Sequence, residues 1–137
     1  MRGRLGIALA LMLAGATGPT AAQSDGSALA GRWIGRMDEP GADIRHYEIR
    51  LSFGTDRNGA PVGMVHYDAL NCGGVWIAPS NATTAWRFQE VITDDARATC
   101  AAENDVEVSS ADGRLTVRFV EPGQDQVIAT AVLRRVH

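Results

Sequence analysis

The sequence predicts an all-β protein, a small antiparallel up-and-down barrel of about eight strands with one disulfide. Apolar and polar residues alternate with a period of two, turn residues recur about every 8 to 12 positions, and no stretch has a convincing helical period. Eight consecutive strands joined by short turns suit a barrel because closure removes exposed edges. A sandwich of two sheets is the alternative.

The clearest strand signal is RHYEIRLSF, residues 45–53, in which every second residue from Tyr47 to Phe53 is apolar. Glycines inside CGGVWIAP, residues 72–79, mark a bend or a close approach of two backbones, as small barrels need. The predicted strands cover residues 31–37, 45–54, 61–68, 72–78, 83–92, 104–110, 113–120 and 126–135.

Turn residues predict the register of two hairpins. A three-residue loop that ends at a left-handed Gly59 pairs Leu51 with Val65, whereas a two-residue Asn-Gly turn would place His66 opposite Leu51 on the core face. The hydrophobic pattern favours the first register.

Near the end of the chain, Asp112-Gly113 as a two-residue turn pairs Val108 with Val117. EPGQ, residues 121–124, has proline and glycine where a type II turn requires them.

Residues 1–22 are predicted to be a secretory signal peptide, because two arginines precede a short apolar run and small residues. Cleavage is expected after Ala22, with residues 14–16 as the competing site and a buried N-terminal helix as the alternative reading. Residues 23–30 are predicted to be a flexible leader, and residues 31–137 a single β-barrel domain. No cysteine lies near the cleavage site, so we expect no lipoprotein anchor and a periplasmic or secreted protein.

The chain contains two cysteines, Cys72 and Cys100. Paired thiols become disulfides in an oxidising compartment, and two cysteines without CxxC spacing make neither a zinc site nor a redox motif. The sequence therefore predicts a structural disulfide between them.

The charge of the exported chain argues against several classes of function. Loss of Arg2 and Arg4 leaves 11 arginines against 16 acidic residues, and the chain has no lysine. An acidic chain without a basic stripe is a poor candidate for nucleic acid, and no segment has the pattern of a membrane-surface helix. No phosphate loop, catalytic serine motif or metalloprotease motif is present, so we expect no cofactor and no enzyme activity.

The histidines His46, His66 and His137 are interpreted as surface residues rather than metal ligands. In the predicted register His66 lies opposite Arg50, with His46 about 13 Å away by strand rise. Asp94-Asp95 is interpreted as a solvated acidic loop.

Gly31-Arg32-Trp33 at the start of the first strand resembles the Gly-x-Trp start of lipocalins and related calycin barrels. The likeness covers those few residues and the strand count. In these families the tryptophan closes one barrel end and an arginine from the last strand packs on it. The resemblance therefore implies an eight-stranded barrel closed by Trp33, with Arg134 or Arg135 as the partner; Arg135 is favoured because it shares a face with the inward Leu133.

Glu90 breaks the pattern of its strand, because it shares a face with Trp86 and Phe88. If that face is the interior, the carboxylate is either paired with an arginine or the Tyr67 hydroxyl, or it anchors a ligand in an apolar cavity. A third reading turns the face outward and places Trp86 on the surface. The predicted ligand-binding residues are Glu90, Tyr67, Trp86 and Phe88.

These observations favour an exported, non-enzymatic, lipocalin-like binding domain that holds a small apolar or amphipathic ligand. The alternative is a protein-interaction module, such as a periplasmic inhibitor or immunity-type protein, that uses loops at one barrel end. A cavity inside the barrel would favour the first function, and a filled core with exposed aromatic residues at one rim would favour the second.

Overall fold

The computed structural model describes residues 15, 26–81, 85–100 and 103–137. Most of the predicted signal peptide therefore lies outside the described residues, as do residues 23–25 of the predicted leader. Among the described residues, no helix is long and apolar enough to cross a membrane. The strands are β1 (Gly31–Asp38), β2 (His46–Thr55), β3 (Pro61–Tyr67), β4 (Cys72–Asn81), β5 (Trp86–Asp94), β6 (Glu103–Ala111), β7 (Arg114–Val120) and β8 (Val127–Val136).

The eight strands form a closed antiparallel barrel in the order of the chain. Each strand pairs with its neighbours in sequence, and β1 pairs with β8 to complete the circle, with Trp33 opposite Arg135. The predicted up-and-down barrel is confirmed, and the sandwich alternative is wrong. No strand among those described is left with a free edge, so the backbone N–H and C=O groups that an open sheet would expose at its edges are paired between strands.

Both predicted hairpin registers are confirmed. Leu51 lies opposite Val65, and Gly59 has a φ of 80° as the three-residue loop requires. Val108 lies opposite Val117 across the turn that follows β6. In each hairpin the register keeps most of the large apolar residues on the inner face, so a slip of one residue would turn those residues outward.

The glycine pair in β4 lies where the strand is irregular. The register with β5 shifts between Gly73 and Gly74, and a Cβ at Gly74 would overlap the carbonyl oxygen of Val91. Only glycine allows the two backbones to come this close. The predicted close approach is therefore present.

One end of the barrel, the closed end, is filled around Trp33, which is 1% exposed. Its indole nitrogen donates a hydrogen bond to the carbonyl oxygen of Leu29 at 2.8 Å. The guanidinium carbon of Arg135 lies 4.2 Å from the centre of the Trp33 ring, and the same side chain donates hydrogen bonds to the carbonyl oxygens of Ala28 and Ala30. The contact expected between Trp33 and Arg135 is thus present, and Arg135 rather than Arg134 makes it.

The segment before β1 contributes to this end. Gly26–Ala28 forms a short 3₁₀ turn, and Leu29 is 1% exposed within the main apolar core. Sequence analysis placed these residues in a flexible leader because the alternation begins only at Gly31. A single buried leucine after a turn carries no periodic signal, which is why the pattern does not reveal it.

The other end of the barrel, the open end, carries the loops that follow β1, β3, β5 and β7. Cys72 at the start of β4 is bonded to Cys100 in the loop after β5, with the two Cα atoms 6.5 Å apart, so the predicted disulfide is present. Thr99 donates from its hydroxyl to the carbonyl oxygen of Leu70 at 2.6 Å. These links hold the loop that follows β5 against the loop that follows β3.

Candidate functional site

A cavity of about 480 Å³ occupies the open end. This volume lies within the range of pockets that hold small organic molecules. Its walls are mainly apolar or aromatic, with a few polar groups between them. The lining residues used below are Met37, Tyr47, Tyr67, Glu90, Asn104 and Phe119.

Glu90, in the middle of β5, is 2% exposed and points inward as predicted. One oxygen, Oε2, accepts hydrogen bonds from the Tyr67 hydroxyl and from the Trp76 indole nitrogen, the latter at 2.8 Å. The other, Oε1, accepts one from the Asn104 amide at 3.2 Å. The carboxylate therefore has three neutral donors, and no salt bridge among the described residues involves it.

The registers of β3, β4, β5 and β6 bring these four side chains together. Trp76 lies opposite Glu90 on β4, and Asn104 lies opposite Glu90 on β6. Tyr67 is the last inward residue of β3 and reaches across to the same carboxylate. We call Glu90, Tyr67, Trp76 and Asn104 the carboxylate cluster.

The two tyrosines of the chain remain hydrogen-bond donors at ordinary pH. Burial, reinforced by the Glu90 carboxylate, raises the pKa of Tyr67 well above its usual value. Burial, reinforced by a hydrogen bond to Glu39, raises the pKa of Tyr47 in the same direction. Their rings meet edge to face, with centroids 6.0 Å apart, and form one aromatic wall of the cavity.

The loop between β1 and β2 borders the mouth of the cavity. Glu39 in this loop accepts the hydrogen bond from the Tyr47 hydroxyl. Asp43 and Ile44 line the cavity nearby, and Ile44 is 45% exposed. The sequence offered no signal for this arrangement, because the loop has no periodic pattern and its residues are brought to the cavity only by barrel closure.

Acidic residues of the wall and of the cavity differ in their partners. On the outer wall, Asp38 pairs with Arg45, Glu48 and Asp68 with Arg50, and Asp105 and Glu107 with Arg87. The three acids that line the cavity are Glu39, Asp43 and Glu90, and none of them forms a salt bridge within the described residues. No arginine or histidine is among the described residues that line the cavity.

The four predicted ligand-binding residues separate into two groups. Glu90 and Tyr67 line the cavity and contact each other. Phe88 is 1% exposed in the apolar core, and the half-buried Trp86 stacks on it with ring centroids 6.3 Å apart. The structure therefore brings Trp86 and Phe88 together, but not to this cavity, because they lie two and four residues closer to the closed end on the tilted strand.

Sequence reasoning missed Trp76 and Asn104 as partners of Glu90. Trp76 follows two glycines in an irregular strand, so its register could not be set from turn chemistry. Asn104 begins the inward set of β6 next to a loop. A polar residue at an inward position beside a predicted inward carboxylate is the signal that could have found Asn104.

Among the described residues, one set of side chains has its potential ligand atoms close enough together to bind a metal ion: Cys72, Asp95 and Cys100. The two sulfur atoms are bonded to each other, and the Asp95 carboxylate accepts hydrogen bonds from the backbone nitrogens of Thr99 and Cys100. Asp95 therefore stabilises the loop. His46 and His66 are exposed and lie beside Asp38 and Asp68 on the outer wall.

Comparison with known proteins gives no assignment. No protein-family model matches the sequence, and no curated protein matches it.

Proposed function

We propose that this protein is a non-enzymatic, lipocalin-like binding domain that holds a small amphipathic ligand in the cavity at its open end. The observation that carries the proposal is the carboxylate cluster, a buried acid held by three donors beside a cavity whose walls combine apolar and aromatic side chains with a few polar ones. Ligand pockets commonly combine apolar walls with a few fixed polar groups that orient the ligand. The resemblance at Gly31-Arg32-Trp33 and the closed barrel agree with this class of protein.

We propose further that the protein acts outside the cytoplasm, in the periplasm or after secretion. The disulfide between Cys72 and Cys100 supports this, because structural disulfides persist in oxidising compartments. The charged and apolar pattern of residues 1–22 supports it independently.

The protein-interaction alternative has weaker support. It calls for exposed aromatic residues at one rim, and the large apolar residues exposed in the described part of the chain are Ile44, Met64 and Val132. Ile44 is at the mouth of the cavity, while Met64 and Val132 lie on the outer wall. The cavity therefore favours a small ligand over a protein partner.

The test is to fill the cavity without changing the outer wall. Ala129 lines the cavity and is 4% exposed, whereas Thr130 is exposed on the opposite face of the same strand. Native mass spectrometry of protein purified from its host should show a 1:1 small-molecule adduct in the wild type and in Thr130→Leu, and its loss in Ala129→Leu. Thermal melting of both variants confirms that each is folded.

A ligand-observed NMR screen of small aromatic fragments covers the case in which the natural ligand is lost during purification. Fragments should bind the wild type and Thr130→Leu, and Ala129→Leu should bind them at least several-fold more weakly. If no fragment binds in a manner that Ala129→Leu reduces, and no adduct is found, the proposed function is wrong.

A further inference from the structure

We infer that the cavity selects an organic cation, a protonated amine carried on a small apolar or aromatic body. This inference rests on the proposed function and specifies the charge of its ligand. The cavity is lined by three carboxyl groups, from Glu39, Asp43 and Glu90, and by no arginine or histidine among the described residues. A ligand that brings a positive charge supplies what the lining lacks.

The Glu90 carboxylate is the main reason for this choice. Its three partners are neutral, so they orient the group without balancing its charge. Any ligand that fills the cavity displaces water and strengthens electrostatic interactions there, because the local dielectric constant falls. A neutral ligand would leave the charge buried without a counter-ion, whereas an ammonium group would pair with it.

The carboxylate also has room for a further donor. Oε2 accepts two hydrogen bonds, while Oε1 accepts a single one, from Asn104. A carboxylate offers about four lone-pair positions, so Oε1 can accept one more hydrogen bond. An ammonium group has only donors and is suited to donate it.

The aromatic walls favour the same ligand. Tyr47 and Tyr67 meet edge to face, and Tyr67 meets Phe119 in the same way with ring centroids 6.3 Å apart. All three line the cavity, and a cation held near ring faces is attracted by their quadrupoles. Leu70 and Ile128, which also line it, offer apolar surface for the body of the ligand.

The acids of the outer wall and the buried Glu90 differ in whether an arginine lies beside them. On the outer wall, the arginines at positions 45, 50, 87 and 118 lie beside carboxylates. Among the described residues, arginines thus pair with several acids that water also solvates, and none pairs with the buried Glu90. A cationic ligand would provide the charge partner that Glu90 does not receive from these residues.

The experiment uses three probes with one skeleton: 2-phenylethylamine, 2-phenylethanol and 3-phenylpropanoate, titrated by calorimetry at pH 7. The amine should bind the wild type roughly tenfold more tightly than the alcohol, because a hydrogen bond between charged groups stabilises a complex more than one to a neutral group does. The carboxylate probe should bind most weakly. The NMR signal of the Trp76 indole N–H should shift on addition of the amine, because it shares the Glu90 carboxylate.

Glu90→Gln should weaken binding of the amine roughly tenfold, which removes most of the preference for the amine over the alcohol. It should change the affinity for the alcohol by less than about threefold. Glu48→Gln is the matched control, because Glu48 faces outward on β2 and pairs with Arg50. This control should retain the wild-type preference.

The outcomes separate this inference from the proposed function. If the alcohol binds as tightly as the amine, and Ala129→Leu weakens both, the cavity is a binding site but the cation selectivity is wrong. An unchanged ratio of amine to alcohol in Glu90→Gln would also overturn the inference. If none of the three probes binds in a manner that Ala129→Leu reduces, the inference is wrong, whereas the proposed function is still decided by the native adduct and the fragment screen. If Glu90→Gln does not fold, the ratio of amine affinity to alcohol affinity in the wild type still tests the cation selectivity.

Discussion

The two ends of the barrel are built from the same strands but are stabilised differently. At the closed end, Trp33 and Leu29 are each 1% exposed, the Trp33 indole donates a hydrogen bond to Leu29, and Arg135 lies over the Trp33 ring. At the open end a cavity is held by a disulfide, by loop hydrogen bonds and by the carboxylate cluster. The comparison shows how a small barrel keeps an unfilled site: apolar packing at one end stabilises the fold, and covalent and polar links keep the other end in shape.

The largest expected difference concerns two apolar residues on β8. Leu133 is fully buried at the closed half, whereas Ile128 is partly buried and lines the cavity. Leu133→Ala should cost about 3–4 kcal/mol of unfolding free energy, since it leaves a cavity in close-packed surroundings. Ile128→Ala should cost about 1 kcal/mol, because its site is already open to solvent. Urea unfolding measures both, and an equal or larger cost for Ile128→Ala would contradict the comparison.

Removal of the disulfide tests whether the open end depends on its covalent link. The double variant Cys72→Ser, Cys100→Ser should lose about 3.5 kcal/mol of unfolding free energy in the chain-entropy model, given the sequence separation of 28. It should also weaken probe binding more than Leu133→Ala does, because Cys100 and Thr99 line the cavity. Intact mass after alkylation checks the premise: non-reduced protein that takes up two alkyl groups would show that the disulfide is absent.

Alkaline pH should destabilise the open half through its two tyrosines. The folded-state pKa values of Tyr47 and Tyr67 are raised, so above the unfolded value of about 10 the unfolded chain loses protons that the folded protein keeps. The contribution of the two tyrosines to stability is therefore constant below about pH 10 and falls above it, by at most about 1.4 kcal/mol per pH unit for each tyrosine.

Phenolate absorbance and circular dichroism, followed together, measure this effect. The phenolate signal should rise together with the loss of structure instead of preceding it. Tyr67→Phe should reduce the slope of stability against pH above pH 10 by about half. A phenolate transition near pH 10 in a protein that stays folded would show that the tyrosines are not held as the structure indicates.

The smallest expected effect concerns the arginine at the closed end. Arg135→Ala removes the cation over Trp33 and the hydrogen bonds to Ala28 and Ala30, which should cost about 1 kcal/mol. Arg134 is exposed on the outer wall, so Arg134→Ala is the matched control and should change the melting temperature less. Equal or reversed effects would show that Arg135 does not close the barrel.

Much of the fold could be predicted because residues that are close in the sequence determine the strands and the hairpins. The period of two predicted the inward face of the regular strands such as β2, and the turn at Gly59 and the turn at Asp112-Gly113 predicted two registers, since turn geometry sets the pairing of adjacent strands. The inward position of Glu90 followed from the same alternation.

The partners of Glu90 were harder to predict because they depend on irregular and distant parts of the chain. The pairing of β4 with β5 contains two register shifts, so the position of Trp76 cannot be counted from a turn. Trp86 shares its face with Glu90, yet it lies four residues closer to the closed end of the barrel and does not line the cavity. The contribution of Glu39 depends on a loop that reaches the cavity only when the barrel is closed.

The pairing of β1 with β8 has a consequence for biosynthesis. Arg135 and Ala30, which are in contact in the folded protein, are separated by 105 positions in the chain. The barrel cannot close until the last strand has been made, and before then β1 and β7 each have an unpaired edge that another chain could join. At ribosomal speed, roughly 5 to 20 seconds pass between the synthesis of the two halves of this pair. Throughout that interval β1 and β7 are edges at which another chain could pair, whereas in the finished barrel both strands are paired on each side.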